Sequence, residues 1–443
     1  MLTIGDTLRF NHKDEPHHED LRWYPFMLSE NARNHGLYVI GQTGTGKSTL
    51  LENMLYQDCA SGAGFALMEP NPDLTERVRH HISQDRAESV VNINLADLDH
   101  PVPFNPFAGF WKDEYRDLRH LVCSNIMAAF RKIWADQWST TRMARVLRHT
   151  ILALLEYPVS NMLSIQLMLT DKAYRFDVVQ NYVTDPVVQQ FWTRQFEPRP
   201  QRAKDDMAEP ILNRVEQLFT SPPIRNILCQ PSNTFDLADL MEQRGILLIN
   251  LATGEVGEEA EFIGSLYLSH IYHTALRRDP RRSLPPFTCY IDEFADFATA
   301  SFTKTLSQCR KFGLRFVLAH QYINQMPHDV RSSVFGNIPN FIMFRVGHED
   351  ITTLERYIEY ERRDPHLHVL QNGHAYVNVL DAPTCRIKTY ARPEPAHGLG
   401  DSIVAHSREV YGTPRKDVEQ HIKDFYDDWY DDDGKLPHIR IKA

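Results

Sequence analysis

Residues 36–60 read GLYVIGQTGTGKSTLLENMLYQDCA, and this stretch decides the fold. The short apolar run at 36–41 predicts a buried strand, and the spacing of apolar residues after the glycines predicts a helix. Between them, GQTGTGKS fits the phosphate-loop pattern GxxxxGK[ST]. Glycines let successive backbone N–H groups converge on phosphate oxygens at the positive end of the following helix. The alternative is a glycine-rich turn that matches by chance, and the strand-loop-helix context counts against it.

The loop predicts a nucleotide-binding site in which each polar residue has a task. Lys47 is expected to reach the outer phosphates of ATP, and Ser48 is expected to ligate Mg²⁺. The predicted nucleotide-binding residues are Gly41, Gln42, Thr43, Gly44, Thr45, Gly46, Lys47, Ser48 and Thr49.

A second apolar run, FTCYIDE at residues 287–293, ends in two carboxylates. At the carboxyl end of a parallel strand, Asp292 can hold the Mg²⁺ that Ser48 also ligates, and Glu293 can polarise the attacking water. Two adjacent acids after a strand are common by chance. Their occurrence together with a phosphate loop is what favours the catalytic interpretation.

Three further polar residues are candidates for the same chemistry. Gln321, after the predicted strand 314–319, can bond the γ-phosphate or the water, or it can simply close a strand end. Arg310, at the end of the preceding predicted helix, points away from its own phosphate loop and suits a neighbour's nucleotide. The alternative for Arg310 is a cation that caps a helix end. Arg345 is a second candidate for a nucleotide or inter-subunit role.

Apolar strands and helices alternate along much of the remaining chain. Near-continuous apolar strands between helices imply an α/β fold with a mainly parallel sheet covered on both faces. Residues 374–380 and 386–390 are predicted to be added edge strands. The other predicted strands are 64–68, 89–95, 245–251, 287–291, 314–319 and 341–346, with helices at 257–278 and 301–312.

The strand signals stop between about residues 107 and 239. There, apolar residues such as Met143 and Leu147 recur at helical spacing, and prolines predict a division into short helices. We therefore predict five segments: a polar N-terminal extension without a long element (1–35), the first part of the ATPase core (36–106), an all-α insertion domain (107–239), the second part of the core (240–395) and a C-terminal helical and acidic tail (396–443).

Composition restricts the partners and the compartment. The 443-residue chain is 42% hydrophobic and 24% charged, which is typical of globular proteins. Its net charge of −10 excludes a general basic coat, so any contact with DNA must be local. Arg142, Arg145 and Arg148, and the arginines of residues 277–282, are candidates for such contacts, and solvated helix faces are the alternative. Six scattered cysteines and no apolar run of membrane-spanning length predict a cytoplasmic protein, or one held at a membrane only through partners.

Several motifs, in order, resemble the ATPase domain of the FtsK–HerA superfamily, particularly the conjugative coupling proteins of type IV secretion (the VirD4/TraD/TraG group). The likeness runs from about residue 33 to residue 393. The segments that carry it are RNHGLYVIGQTGTGKSTLL, VVNINLADLDHPVPFNPF, RGILLINLATGEVGEEAEFIGSLYLSHIYHTALRR, YIDEFADF, QCRKFGLRFVLAHQ and NIPNFIMFRVGHED.

The resemblance implies a RecA-like P-loop ATPase that uses ATP and Mg²⁺, forms a hexameric ring around DNA and moves it. It also implies that residues 107–239 correspond to the family's all-α domain, that Arg310 is the arginine finger and that Gln321 is the sensor. Residues 69–73, EPNPD, replace the usual DPKGD run and lack its lysine. Relatives typically carry N-terminal transmembrane helices or a barrel. With about 35 residues before the motor, this chain is expected to be a pared-down soluble member.

Three functions stay open on this basis. The first is a DNA-pumping ATPase ring, the second is a VirB4-type secretion or assembly ATPase whose cargo is protein, and the third is a nucleotide-switched adaptor for a nuclease or membrane complex. The acidic, aromatic stretch at 423–434, KDFYDDWYDDDG, is expected to be solvated, with docking on a basic partner surface as the alternative.

Overall fold

A computed structural model describes residues 1–9, 22–134, 141–299, 302–358 and 365–427 of the chain. Within these residues, eleven strands form one sheet: β1 (Leu2–Arg9), β2 (Arg22–Leu28), β3 (Leu37–Ile40), β4 (Gly64–Glu69), β5 (Val90–Asn94), β6 (Ile246–Asn250), β7 (Phe287–Ile291), β8 (Leu314–His320), β9 (Phe341–Met343), β10 (His374–Val379) and β11 (Ala382–Thr389).

The α-helices of the same described residues are α1 (Glu30–Asn34), α2 (Lys47–Ala60), α3 (Asp73–Arg79), α4 (Gln84–Ala87), α5 (Arg119–Ile133), α6 (Thr141–Leu154), α7 (Ser164–Thr170), α8 (Lys172–Asn181), α9 (Pro186–Gln190), α10 (Gln201–Thr220), α11 (Pro222–Leu228), α12 (Leu237–Glu242), α13 (Thr253–Val256), α14 (Glu259–Leu276), α15 (Phe302–Gln308), α16 (His328–Asn337), α17 (His348–Leu354), α18 (Gly400–Val410) and α19 (Arg415–Asp427).

The strands lie in the order β2-β1-β11-β10-β9-β3-β8-β7-β4-β6-β5. The six strands from β9 to β6 run parallel to one another, and the four from β10 to β2 extend the sheet by antiparallel pairing. Strands β3, β6 and β7 of the parallel part are buried at every residue, as expected where both faces of a sheet are covered. The predicted α/β fold with a mainly parallel sheet is confirmed.

The expectation that the first 35 residues lack a long element is wrong. Strands β1 and β2 pair with each other, and β1 also pairs with β11. The alternation of buried residues begins with Leu2 and Ile4, but the register shifts between Thr3 and Gly5, which interrupts the period of two in the sequence. A Cβ at Gly5 would lie 2.5 Å from the Lys388 carbonyl oxygen, so glycine allows this close approach.

This hairpin also changes the predicted position of the last two strands. The runs at 374–380 and 386–390 do form strands β10 and β11, but neither lies at an edge of the sheet. The edges are β2 and β5. At β5, the Ser407 hydroxyl accepts from the Asn92 N–H at 2.9 Å and donates to the Asn92 carbonyl at 3.2 Å. These bonds satisfy backbone groups that an edge strand otherwise leaves exposed.

The chain packs into two compact units. The first contains residues 1–92, 237–251 and 274–407, and the second contains residues 93–236, 252–273 and 408–443. The second unit therefore contains residues 107–236 of the predicted insertion. It also contains residues 93–106, which precede the insertion, and residues 252–273 and 408–443, which follow it. Between Asn94 and Ile246, the described residues form helices and turns but no strand.

Within the second unit, α6 has the amphipathic pattern that the sequence predicts. Met143, Leu147 and Ile151 are buried on one face of this helix. The prolines act differently from the prediction. Pro186 and Pro222 begin helices, where a missing N–H costs nothing, but Pro210 lies inside the twenty-residue helix α10 and does not divide it.

The predicted C-terminal tail begins with two helices, α18 and α19. Most of the acidic, aromatic stretch lies outside the described residues. In the part that is described, the Tyr426 hydroxyl donates to Gln166 Oε1 at 2.7 Å. Across the described ranges, no helix is both long and apolar enough to cross a bilayer.

A buried polar cluster joins three elements of the first unit. The Arg33 guanidinium of α1 donates to Asp58 Oδ2 of α2 at 2.7 Å, and the Tyr290 hydroxyl of β7 donates to the same oxygen at 2.6 Å. Asp58 is fully buried, so this carboxylate needs both donors. The cluster fixes the helix after the phosphate loop against the strand that carries the two predicted catalytic carboxylates.

Candidate nucleotide-binding and hydrolytic site

The phosphate loop connects β3 to α2, as the sequence predicts. Helix α2 begins at Lys47, and Gly46 precedes it with φ 122°, a conformation that favours glycine. At Gly41, a Cβ would lie 2.5 Å from Phe344 Cβ and 2.9 Å from Thr45 Oγ1, so a larger residue does not fit. At Gly44, a Cβ would meet nothing within 4 Å, so the tip of the loop is open. Because the first N–H groups of a helix have no partner inside it, this open loop forms a cradle for an anion.

Lys47 lies inside this cradle. Its Nζ donates to the Gly41 carbonyl at 2.7 Å and reaches the Gln42 carbonyl at 3.4 Å. Burial lowers the pKa of Lys47, while the nearby carboxylates of Glu293 and Asp292 act in the opposite direction. An ammonium has three N–H donors, so one donor is left for a phosphate oxygen.

Ser48 and Asp292 place two oxygen ligands side by side. The Ser48 hydroxyl lies 3.4 Å from Asp292 Oδ2, and the backbone N–H of Asp292 donates to the Met68 carbonyl at 3.0 Å. Burial raises the pKa of Asp292, and the charge of Lys47 lowers it. A hydroxyl and a carboxylate are the hard oxygen donors that Mg²⁺ prefers, and phosphate oxygens and water complete such a site. Thr49 follows in the first turn of α2.

Glu293 has an unusual backbone and an unpaired oxygen. Its φ of 51° is in the left-handed region, which a residue with a side chain seldom adopts and which occurs often at functional sites. Oε1 accepts from Gln321 Nε2 at 2.9 Å, and Oε2 is buried with no partner among the described residues. Burial raises the pKa of Glu293, and the bond from Gln321 lowers it. The free oxygen can accept a hydrogen bond from a water molecule.

Gln321 bonds both halves of the site. Its Nε2 donates to Glu293, and its Oε1 accepts from the Thr43 hydroxyl at 2.9 Å. This geometry follows from strand order, because β8 lies between β3 and β7 and all three run parallel. The structure therefore brings the phosphate loop, Ser48, Asp292, Glu293 and Gln321 together.

Arg310 is not part of this group within one chain. It lies on a 3₁₀ turn, Cys309–Phe312, rather than on the predicted α-helix, and the turn precedes β8 while Gln321 follows it. Seven residues of strand separate the two by about 23 Å. The side chain is exposed at the amino edge of the parallel strands, where its guanidinium bonds to His35.

Arg345 contacts the phosphate loop through its backbone. Its carbonyl accepts from the Gln42 N–H at 2.8 Å, and its guanidinium donates to the Leu370 carbonyl at 3.3 Å. The predicted strand at 341–346 ends at Met343, and the residues after it pack against the loop instead. Arg345 thus helps to hold the loop in shape.

Of the two predicted basic clusters, only one is uniformly exposed. Arg142, Arg145 and Arg148 are all exposed on α6 in the second unit. In the cluster at 277–282, Arg278 is buried and donates to Glu242 Oε1 at 2.8 Å, so this residue is structural. Arg281 bonds to Asp279 at 2.9 Å.

Glu69 is a site neighbour that the sequence reasoning missed. It ends β4 opposite the end of β7, and burial raises the pKa of Glu69 to about 7, with Asp292 adding to the increase. Its Oε2 accepts from the Leu74 N–H at 3.0 Å, and its Oε1 accepts from the Thr75 N–H, so the carboxylate caps the start of α3. The EPNPD run contained a signal for the helix but not for Glu69, because an aspartate in the first turn, as at Asp73, is typical of a helix start.

Comparisons with known proteins agree with this architecture. No family model and no curated protein sequence matches the chain. Among solved structures, it is similar to plasmid coupling protein TrwB in complex with the GTP analogue GDPNP, with 18% identity, a TM-score of 0.58 and coverage of 83% of this chain and 89% of that chain. The TrwB complex with ADP and Mg²⁺ gives 18% identity and a TM-score of 0.57, over 83% and 88%. VirB4 of Thermoanaerobacter pseudethanolicus gives 13% identity and a TM-score of 0.53, over 88% and 96%.

The chain therefore has the RecA-like P-loop fold of the coupling-protein and VirB4 structures. The predicted resemblance to coupling proteins is confirmed at the level of the fold.

Proposed function

We propose that this chain is a Mg²⁺-dependent ATPase that couples hydrolysis to the movement of DNA, as a ring of six identical subunits. The observation that carries the proposal is the double hydrogen bond of Gln321, to Thr43 of the phosphate loop and to Glu293. A side chain that touches both the phosphate cradle and the acid for water activation can respond to the presence of a γ-phosphate. Such a response is what a nucleotide-driven motor requires.

The residues present fit ATP and Mg²⁺. The glycine cradle and Lys47 suit a chain of phosphates, and Ser48 and Asp292 supply hard oxygen ligands. Among the described residues, the buried Glu293 Oε2 has no hydrogen-bond partner. TrwB, which has the same fold, has been solved with ADPNP and with ADP and Mg²⁺. When bound, the metal would neutralise developing charge on the phosphates, while Lys47 orients them and Glu293 orients the water.

The ring is proposed from the position of Arg310. This exposed guanidinium lies at the opposite end of β8 from its own phosphate loop, so it cannot assist its own nucleotide. If a neighbouring subunit packed its nucleotide site against this amino edge, the Arg310 side chain would reach the neighbour's phosphates. Arginine suits that task because its planar charge matches the negative charge spread over the phosphoryl group during transfer. When identical subunits repeat such a head-to-tail contact, they form a ring if the rotation between neighbours closes.

A protein-moving ATPase is the second candidate. The observation that favours it is the similarity to VirB4, which covers 96% of that chain. The phosphate-loop chemistry is the same in both proposals, and the difference lies in the polymer that stimulates turnover.

The first prediction is that DNA accelerates ATP hydrolysis by the purified chain. DNA in a ring completes the assembly and places Arg310 against the neighbouring site, so the rate should rise at least several-fold. Hydrolysis is measured with single- and double-stranded DNA over a salt series, and the stimulation should weaken as salt increases.

Heparin, a polyanion without bases or a duplex, is the control for nonspecific charge effects. Hydrolysis that no DNA changes at any salt concentration would contradict the DNA proposal and favour a protein substrate. Absence of hydrolysis under all conditions would contradict the ATPase itself.

The second prediction concerns DNA contact by the exposed arginines of α6. Changing Arg142, Arg145 and Arg148 together to glutamine should weaken DNA binding and lower its salt dependence. Each phosphate contact contributes about 0.7 to 0.9 to the slope of log K against log salt, so three lost contacts reduce the slope by about 2 to 3. Fluorescence anisotropy over a salt series measures both quantities.

The matched control removes three exposed cations from α19 in the same unit, at Arg415, Lys416 and Lys423. This control should leave the slope close to the wild-type value. Equal slopes for the α6 variant and the wild type would assign the arginines to an ordinary solvated face.

A further inference from the structure

Arg310 is held by one neighbour in the first unit. Its guanidinium Nη1 bonds to His35 Nε2, and His35 is the only hydrogen-bond partner of this side chain among the described residues. Both residues line a cavity of about 120 Å³, together with Ser307 and Asn337. The exposed cation at the amino edge is therefore tethered at one nitrogen.

The direction of this bond follows from the other nitrogen of the imidazole. His35 Nδ1 lies 2.8 Å from the Asn31 carbonyl oxygen, which can only accept, so Nδ1 carries the proton. In the neutral ring, Nε2 then has a lone pair and accepts. A guanidinium has donors only, so the Arg310 N–H donates to His35.

Two hydrogen bonds to α1, the helix that His35 follows, hold this residue in place. Its backbone N–H donates to the Ala32 carbonyl at 3.0 Å, and its ring donates to Asn31 of the same helix. The start of α1 is capped by the Ser29 hydroxyl, and the Asn31 amide donates to Asp381 Oδ1 at 2.9 Å. The acceptor offered to Arg310 is therefore part of a braced helix end rather than a mobile side chain.

An exposed arginine loses rotamer freedom when its side chain is held in one position for a contact, and that loss opposes the contact. A rigid acceptor reduces that loss before the subunits meet. The one bond at Nη1 leaves the other guanidinium N–H groups without a hydrogen bond to any residue in the described ranges. We infer that His35 is a positioning residue for Arg310, orienting its free N–H groups toward the nucleotide of the adjacent subunit. This inference rests on the proposed function, in which Arg310 acts on a neighbour.

The same short segment also leads to the chain's own nucleotide loop. His35 is followed by Gly36 and then by β3, whose carboxyl end begins the phosphate loop. Asn340 Nδ2 donates to the Gly36 carbonyl at 2.7 Å and to the Ala32 carbonyl at 2.8 Å, on either side of His35. The segment that contains His35 therefore connects two features of one subunit: the side chain of Arg310, which bonds to His35, and the phosphate loop at the end of β3.

The test compares ATP hydrolysis by the assembled full chain for His35→Ala, His35→Gln, Arg310→Ala and the double variant His35→Ala/Arg310→Ala. We expect His35→Ala to lower kcat by about three- to ten-fold, because the Arg310 side chain would no longer be held in one orientation before it meets the nucleotide. The affinity for a fluorescent ADP analogue should stay unchanged. His35→Gln keeps a carbonyl acceptor at similar reach and should recover most of the rate. In the Arg310→Ala background, His35→Ala should have no further effect.

His421→Gln, an exposed histidine change on α19, is the control for general effects of losing an imidazole. Thermal melting of every variant identifies any loss of folding, and His35→Gln tests the inference even where His35→Ala is unstable. A wild-type rate for both His35 variants, with Arg310→Ala slow, would overturn the inference alone. The inference would also be overturned if His35→Ala lowered kcat by the same factor in the Arg310→Ala background as in the wild type. A wild-type rate for Arg310→Ala would overturn the proposed role of Arg310, and with it the inference.

Discussion

Replacing Arg310 by alanine is expected to lower kcat for ATP hydrolysis by about 10³-fold, which is the lower end of the range for an arginine supplied to a phosphoryl transfer. The physical reason is the loss of a permanent planar charge that stabilises the spreading negative charge of the transition state. Because Arg310 lies at the amino edge of the sheet and the phosphate loop at the carboxyl edge, nucleotide affinity within a subunit should not change. Steady-state hydrolysis and equilibrium nucleotide binding measure the two effects separately.

Mixing experiments test whether this arginine acts across subunits. A Lys47→Ala chain cannot use its own site but still offers Arg310, and an Arg310→Ala chain has an intact phosphate loop. Mixed rings should therefore recover activity that neither chain has alone. Lys311→Ala, which removes the adjacent exposed cation, is the matched control and should retain the wild-type rate. No recovery at any mixing ratio, with mixed assembly demonstrated, would contradict action in trans.

The second large effect is expected for Glu293→Gln. This change keeps the size and the hydrogen bond from Gln321 but removes the base, and general base catalysis contributes about 10² to 10⁴-fold. We expect kcat to fall by at least 10²-fold while nucleotide still binds, since Lys47, Ser48 and the glycine cradle are unchanged. Single-turnover hydrolysis and binding of a fluorescent ADP analogue are the measurements.

Two comparisons make the Glu293 result specific. Lys47→Ala should instead lose nucleotide affinity, because its Nζ is the cation inside the cradle. Asp296→Asn removes a neighbouring carboxylate on the 3₁₀ turn Phe294–Asp296 and should keep near-normal turnover. Hydrolysis by Glu293→Gln at the wild-type rate would mean that another group orients the water.

In the proposed function, Gln321 is the residue that we expect to respond to the bound nucleotide. Its amide bonds to Thr43 of the phosphate loop and to Glu293 at the end of β7. If a bound γ-phosphate took the place of one of these partners, we would expect Gln321 to change position. A local change in hydrogen bonding that alters the position of a neighbouring segment is the general form of a nucleotide switch.

The parts of the site that lie close together in sequence could be predicted from local chemistry. GQTGTGKS specifies a loop because only glycine accepts its close contacts at Gly41 and its φ at Gly46, and apolar runs specify β3 and β7 because both sheet faces are covered. The pairing of Ser48 with Asp292 also followed, since carboxyl ends of parallel strands meet at one edge. For these residues, the residue types and their spacing along the chain were enough to predict the chemistry.

Other features depended on contacts between distant segments. The strands at the N-terminus were missed because a register shift at Gly5 breaks their alternation, and their place beside β11 is a long-range pairing. Glu69 was seen only as a departure from a motif, whereas its role as the cap of α3 needs two backbone N–H groups in space. The bond from Arg310 to His35 joins residues 275 positions apart, so no local pattern could indicate it.

The sequence by itself determined three things: the α/β fold, the position of the phosphate loop and the two acids that accompany that loop. It could do so because local steric limits and the period of buried residues depend on residues that are close together in the chain. The tertiary structure alone decided that Gln321 contacts both Thr43 and Glu293, and that Arg310 lies at the far edge against His35. The physical reason is strand order: hydrogen bonding between β3, β8 and β7 determines which strand ends become neighbours, and that order depends on the whole sheet rather than on any one segment.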